Sequence, residues 1–300
     1  MGKPILRLND VTKMYNSFCG VRDISFSLKK GEVLGLLGKN GAGKTTIIKL
    51  IMNLISKDRG KISVFGQENG ANEKEIKKKI GFVYDELYYY SSQSAEMARK
   101  NVRRFYPDWK DEKFNYYMEK FDLPYNKKIN DFSQGMKMKL GLTLALSHNA
   151  ELLIMDEPTS GLDPVVREEL LDILINIIEN DANKAVFISS HIIEDIKKIA
   201  DRIIIIHDGK VVKDKSKRKF SNYYYVEGNK TLLANNQIKN FINKIEISGG
   251  KFKGITNELN KLYNNISKEN IQIEKASLED TLLTFIKGGW LYCLVQFSNL

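Results

Sequence analysis

The 300-residue chain is short of cysteine, proline, tryptophan and histidine, with two, five, two and three of each. Cys19 and Cys293 are far apart and lack metal-ligand spacing, so neither a disulfide framework nor a Cys/His metal site is built from them. A reducing compartment is expected. No apolar run reaches the ~18 residues that a membrane helix needs. The longest, residues 290–297, is too short to span, so any membrane role must be peripheral or act through another chain. Residues 1–10 read as a short strand containing Arg7 rather than as a secretory leader. There is no internal repeat, and no heptad pattern is sustained.

Apolar residues make up 42% and charged residues 28%, enough for a core and a soluble surface in one large or two modest domains. The net charge of +10 comes mainly from lysines spread along the chain, with clusters at 74–79 and 213–219. A basic surface suits anionic lipid or nucleic acid. Here the lysines accompany a general richness in Ile and Asn, which favours a solvated face, and no nucleic-acid partner is expected.

Gly38, Lys39, Asn40, Gly41, Ala42, Gly43, Lys44 and Thr45 spell G-x-x-x-x-G-K-T, followed by Thr46. An apolar run (33–37) precedes them and Ile47, Ile48, Leu50 and Ile51 follow, so the motif lies between a buried strand and a helix. Glycines let successive backbone N–H groups turn onto phosphate oxygens, and the helix N-terminus adds partial positive charge. Lys44 would reach the β- and γ-phosphates, and the Thr45 hydroxyl would hold Mg²⁺.

Residues 5–11 and 24–28 alternate apolar with polar and read as antiparallel strands. Residues 61–65 and 80–84 read as further strands. From 94 to 146 the pattern is helical, with Phe114, Tyr117, Met118 and Phe121 on one face. Residues 151–155 are a continuous apolar run suited to a central parallel strand. Helix 164–179, strand 185–189, helix 192–200 and strand 202–207 follow, an α/β alternation that implies a parallel sheet. Asp208 and Gly209 mark a hairpin turn. After about Asn222 the texture changes to Asn- and Lys-rich sequence interrupted by Gly249 and Gly250. Pieces at 223–226, 244–247 and 271–273 are strand-like. The expected organisation is therefore a nucleotide-binding domain over 1–222, with a helical subdomain at about 86–150, and a small α+β appendage over 223–300.

Asp156 and Glu157 end the 152–155 strand, where ligands of open α/β sheets bind. Asp156 would orient Mg²⁺ through water, and Glu157 would polarise the water that attacks the γ-phosphate. His191 follows the next strand and should face the same crevice, where it can hydrogen-bond the γ-phosphate or that water. His148, after an apolar helix, and His207, before a turn, read as structural. Ser133 is a natural helix N-cap and Gly135 allows close backbone approach.

The ordered series 38–45, 132–136, 152–157, 160–163 and 190–191 resembles the nucleotide-binding domain of ABC transporters over about residues 5–212. The resemblance implies a P-loop fold with a RecA-like parallel core, an antiparallel β section and a helical insert. It implies that Tyr15 stacks on adenine, and that Ser133 and Gly135 contact the γ-phosphate of ATP held by a second subunit. Residues 160–163 would couple the two sites, and two subunits would sandwich two ATP molecules. Residues 105–109, the Gly135-Met136-Lys137 form of the signature, 158–166, and 278–280 before a terminal amphipathic helix are similar to bacitracin-export and phenol-soluble-modulin-export ATPases of Gram-positive bacteria.

The family usually has glutamine where this chain has Asp85, followed by Glu86. Direct metal coordination by Asp85 is one consequence. Gln134 and Met136 also depart from the commoner glycine and glutamine, while Ser133 and Gly135 remain. The resulting expectation is an ATP-hydrolysing, Mg²⁺-dependent subunit of an exporter, a homodimer or heterodimer, cytoplasmic and held at the inner face of the cell membrane by a separate permease. Residues 85–91, including Tyr88, Tyr89 and Tyr90, and the helical insert are candidates for contact with that permease, and the tyrosines equally suit buried packing. One rival is a soluble ABC ATPase of translation or DNA maintenance. Translation-type relatives generally carry two nucleotide domains, and repair-type relatives insert a long coiled coil where this chain has only about ninety residues. The other rival, a nucleotide switch without turnover, is disfavoured by Glu157 and His191.

Overall fold

The computed structural model describes residues 3–16, 18–84, 92–266 and 270–287. Asp85, the tyrosines at 88–90 and the apolar tail 288–300 lie outside the described residues. The chain forms two compact units, Met1–Val211 and Val212–Leu300. The division precedes the change of sequence texture near Asn222.

The first unit runs β1 (Leu6–Tyr15), β2 (Phe18–Leu28), β3 (Val33–Leu37), α1 (Lys44–Ile51), β4 (Arg59–Val64), β5 (Gln67–Glu68), α2 (Glu73–Lys78) and β6 (Ile80–Val83). Helices α3 (Ala95–Val102), α4 (Asp111–Lys120) and α5 (Gln134–Leu146) follow, then β7 (Leu152–Asp156), α6 (Pro164–Glu179), β8 (Ala185–Ser190), α7 (Ile193–Ile199) and β9 (Arg202–His207). Strand β10 (Lys210–Ser216) crosses the division. Asp208 and Gly209 both take positive φ, 46° and 70°, in the turn before it.

Two sheets organise this unit, an antiparallel one in the order β2-β1-β4-β5 and a six-stranded one in the order β10-β9-β3-β8-β7-β6. The core strands β3, β7 and β8 are buried at every residue, which is why they read as unbroken apolar runs. They are parallel neighbours. Leu37 pairs with Ser190 and Asp156 with Ser189, so the C-terminal ends of all three strands finish at one level. In the helical insert, Phe114, Met118 and Phe121 are buried and Tyr117 packs on Phe121. Each such buried side chain contributes roughly 1.5–3 kcal/mol of transfer free energy.

The second unit contains α8 (Lys217–Phe220), β11 (Tyr224–Asn229), α9 (Asn236–Phe241), β12 (Asn243–Ser248), β13 (Lys251–Thr256), α10 (Leu259–Tyr263), β14 (Ile271–Lys275) and α11 (Leu278–Lys287). Its sheet has the order β12-β13-β11-β14 with antiparallel pairings. The βαββαβ succession with this order is the ferredoxin-like split βαβ arrangement. Val226, Phe252 and Ile271 of the sheet pack with Ile238, Ile242 and Leu262.

Candidate functional site

Between β3 and α1 the chain makes the glycine loop. Gly43, the residue before the helix, takes φ 104° and offers no side-chain cap. A Cβ there would meet Val21 Cγ1 at 2.8 Å and the Gly20 carbonyl at 2.9 Å. Glycine is therefore required at this point by both the backbone and the neighbouring strand. Helices α3, α5 and α6 are capped by the side chains of Ser94, Ser133 and Asp163. The first N–H groups of α1, uncapped by any side chain, suit an anionic ligand.

The loop is anchored on both sides. Gly38 N–H donates to the Ser190 carbonyl and Gly209 N–H to the Ala42 carbonyl, at 3.3 and 3.1 Å. The Lys44 side chain is buried and folds back, donating to the carbonyls of Gly38 at 2.7 Å and Lys39 at 3.0 Å. Asn40 and Gly41 are exposed at the tip of the loop. Thr45 and Thr46 are half-buried in the first turn of α1.

The ends of β7 and β8 bring two carboxylates and a histidine to this loop. Asp156 is fully buried, and its Oδ1 accepts from the Ser189 hydroxyl at 2.5 Å. The same hydroxyl accepts from Glu157 N–H at 3.0 Å, so Ser189 fixes both acids. Glu157 takes φ 49°, an uncommon backbone state for a residue with a side chain and one that concentrates at functional sites.

The two carboxylate oxygens of Glu157 have different surroundings. Oε2 lies 2.7 Å from His191 Nδ1 and accepts from His191 N–H at 3.2 Å. Oε1 lies 3.0 Å from Lys44 Nζ, an ion-pair contact. Two of the lysine's three N–H groups go to the loop carbonyls, and the ammonium is the neighbour of the otherwise buried Oε1. With Glu157 ionised, His191 Nδ1 donates and Nε2 of the neutral ring is left as an acceptor.

Asp156 and Thr45 fit Mg²⁺, a hard cation that takes oxygen ligands and is commonly shared between one or two protein groups and substrate phosphates. Among the described residues no cluster of three or more His, Cys, Asp or Glu side chains could hold a metal by itself.

Tyr15 ends β1, half-buried, with its ring stacked on Phe18 at 5.3 Å between centroids. Phe18, which the sequence pattern did not single out, is the more exposed ring at 62%. Ser133 and Gly135 stand apart, at the start of α5. The Ser133 hydroxyl accepts from Met136 N–H at 3.2 Å, leaving the serine exposed at a helix N-terminus. Gly135 is buried against Val166 of α6. In the 160–163 segment, Gly161 takes φ 72° and Asp163 caps α6, accepting from Val165 and Val166 N–H at 3.1 Å each.

His148 is buried and stacked on Tyr106 at 3.9 Å, away from these groups. Burial, aided by the Lys184 charge, pushes its pKa down to about 4. Ser189 escaped the sequence reading because it follows the apolar run 185–188 directly and continues the same strand. The only available signal was a hydroxyl residue at the end of a strand whose neighbour ends in two acids.

The family model described as ABC transporter matches residues 21–160. The bacitracin transport ATP-binding protein BcrA of Bacillus licheniformis is 33% identical over 301 residues, covering 95% of this chain and 98% of its own. The SkfA peptide export ATP-binding protein SkfE of Bacillus subtilis (strain 168) is 34% identical, covering 70% of this chain and 88% of its own. A solved ATP-binding cassette in a dimeric, post-hydrolysis state with ADP and Pi has the same fold, with TM-score 0.63 and 24% identity over 70% of this chain and 98% of that one.

Proposed function

The chain belongs to the ATP-binding subunits of ABC transporters, and from that premise we propose that it hydrolyses ATP to drive export of a peptide or antibiotic through a separate membrane permease. The observation that carries the hydrolytic reading is the pair of unlike oxygens on Glu157. One is held by His191, and the other is buried in an ion pair with Lys44, which phosphate binding to the lysine would release for water. A carboxylate so placed can accept a proton from an attacking water, a step worth typically 10²–10⁴-fold.

In this reading the backbone of 38–45 and Lys44 bind the phosphates, and Lys44 leaves its loop carbonyls to do so. Thr45 and Asp156 would hold Mg²⁺, which when bound neutralises phosphate charge. Ser189 keeps Asp156 and Glu157 apart in role by binding both. Glu157 orients and deprotonates water, and His191 holds Glu157 in place. Tyr15 stacks on the base. Ser133 and Gly135 of each subunit reach the ATP held by the other, so that turnover requires two copies or this chain and a related one. Among the described residues no helix is long and apolar enough to cross a membrane, consistent with attachment to the inner membrane face through the permease.

Two measurements test this. Steady-state phosphate release from Mg-ATP by the purified chain should be detectable and lost on chelation of Mg²⁺. Affinity capture from detergent-solubilised membranes should recover a multi-helix membrane protein. Turnover combined with no membrane protein in the capture would point to a soluble ABC ATPase, and nucleotide binding without turnover to a switch.

A further inference from the structure

Asp195 is a fully buried carboxylate that the mechanism above does not use. It lies in the first turn of α7, yet its contacts reach three other elements. Oδ1 accepts from Arg167 Nε of α6 at 2.6 Å. Oδ2 accepts from the Thr159 hydroxyl in the turn after β7. The Ser190 hydroxyl, at the end of β8, lies 3.3 Å from the same Oδ2. Ser190 also accepts from Ile192 N–H at 2.9 Å, which fixes the chain on both sides of His191.

Thr159 stands two residues after Glu157, and Ser190 immediately precedes His191. The contacts therefore close a ring that runs from Glu157 through Thr159, Asp195, Ser190 and His191 back to Glu157. Arg167 extends it, because the 160–163 segment is gripped at its start through Thr159 and one turn beyond its end through Arg167. We propose that Asp195 is a positioning residue that holds Glu157 and His191 in register and ties both to the 160–163 segment. This rests on the hydrolytic reading of Glu157.

A buried carboxylate–guanidinium pair adds little net stability over a well-packed apolar filling, because desolvation of both charges offsets their attraction. What it supplies is direction. Two oxygens with three fixed donors leave one orientation for the turn after β7 relative to the end of β8. Displacing reacting groups by about 1 Å can cost ~10²-fold in rate with little effect on binding.

The test uses Asp195→Asn, Asp195→Glu and Thr159→Val in the full chain, reading kcat, ATP Kd and Tm. Asp195→Asn should lower kcat by about tenfold or more and leave Kd within about twofold. Asp195→Glu should recover part of that loss. Thr159→Val keeps the Asp195–Arg167 pair, so it reports on the ring even where Asp195→Asn fails to fold. It should lower kcat with Tm and Kd near those of the parent. Parental kcat in Thr159→Val, or a loss of Kd matching the loss of kcat in the folded variants, would overturn the proposal. A parent chain with no turnover at all would instead sink the hydrolytic reading on which it depends.

Discussion

Lys44 Nζ lies 3.0 Å from Glu157 Oε1, so the side chain suited to phosphate and the one suited to water are paired with each other. Both are largely buried, with side-chain exposures of 5% and 11%. A triphosphate entering the loop competes with Glu157 for the lysine. Replacing the acid by its amide removes that competitor along with the general base. Glu157→Gln should tighten ATP binding about fivefold, roughly 1 kcal/mol. It should cut phosphate release by ~10²-fold or more. Titration with a fluorescent nucleotide and a steady-state assay read the two effects. Parental turnover in this variant would remove Glu157 from the mechanism.

Lys44→Ala addresses the other half of the pair. It deletes the charge offered to phosphate and the two bonds, 2.7 and 3.0 Å, that tie the lysine to the loop carbonyls. A charged hydrogen bond is worth about 1.5–3 kcal/mol, so ATP affinity should fall at least ~10-fold. Tm without nucleotide should fall as well, because Glu157 Oε1 is left buried without its ion-pair partner, while the loop keeps its anchors to Ser190 and Gly209. Unaltered affinity would discredit the phosphate-loop assignment.

The elements that position these groups were legible because buried parallel strands must be apolar throughout. The runs ending at Leu37, Asp156 and Ser190 announce themselves and deliver polar residues to one sheet edge. Asp195 was not legible. In sequence it belongs to an acidic helix start, normally a solvated position. Its burial depends on Arg167, 28 residues earlier, and Thr159, 36 residues earlier. In the second unit β13 escaped notice because Gly249 and Gly250 read as an interruption. Their φ values of 57° and 82° show instead the turn of the β12–β13 hairpin.

His148 makes stability depend on pH. Its pKa lies at about 4 in the fold, against about 6.5 when unfolded. Above pH 6.5 the ring is neutral in both states and stability is unaffected. Between 6.5 and 4 the unfolded chain takes up a proton that the fold refuses, so stability falls as pH falls. The loss approaches about 3 kcal/mol near pH 4. His148→Phe preserves a ring for stacking on Tyr106 and removes the titration. Urea unfolding at pH 7 and pH 4.5 should show a smaller difference for the variant than for the parent. Equal differences would assign the acid sensitivity to other groups.

Gly135 and Val166 define how closely the start of α5 approaches α6. A Cβ on Gly135 would lie 2.6 Å from Val166 Cγ1, closer than carbon atoms tolerate. Gly135→Ala therefore forces either the valine to turn or the two helix starts to part. Overpacking of this kind costs typically 1–3 kcal/mol, a Tm loss of a few degrees for a domain of this size. The displaced segment carries Ser133, whose hydroxyl caps the helix through Met136 N–H, so the same variant should lower turnover. Val166→Ala removes the atom that clashes. Gly135→Ala with Val166→Ala should recover most of the lost Tm, whereas Val166→Ala alone should be slightly destabilising. Such opposite effects are the sign of two residues in direct contact. If Val166→Ala lowered Tm equally in both backgrounds, the close approach of α5 and α6 would not be what requires glycine at 135.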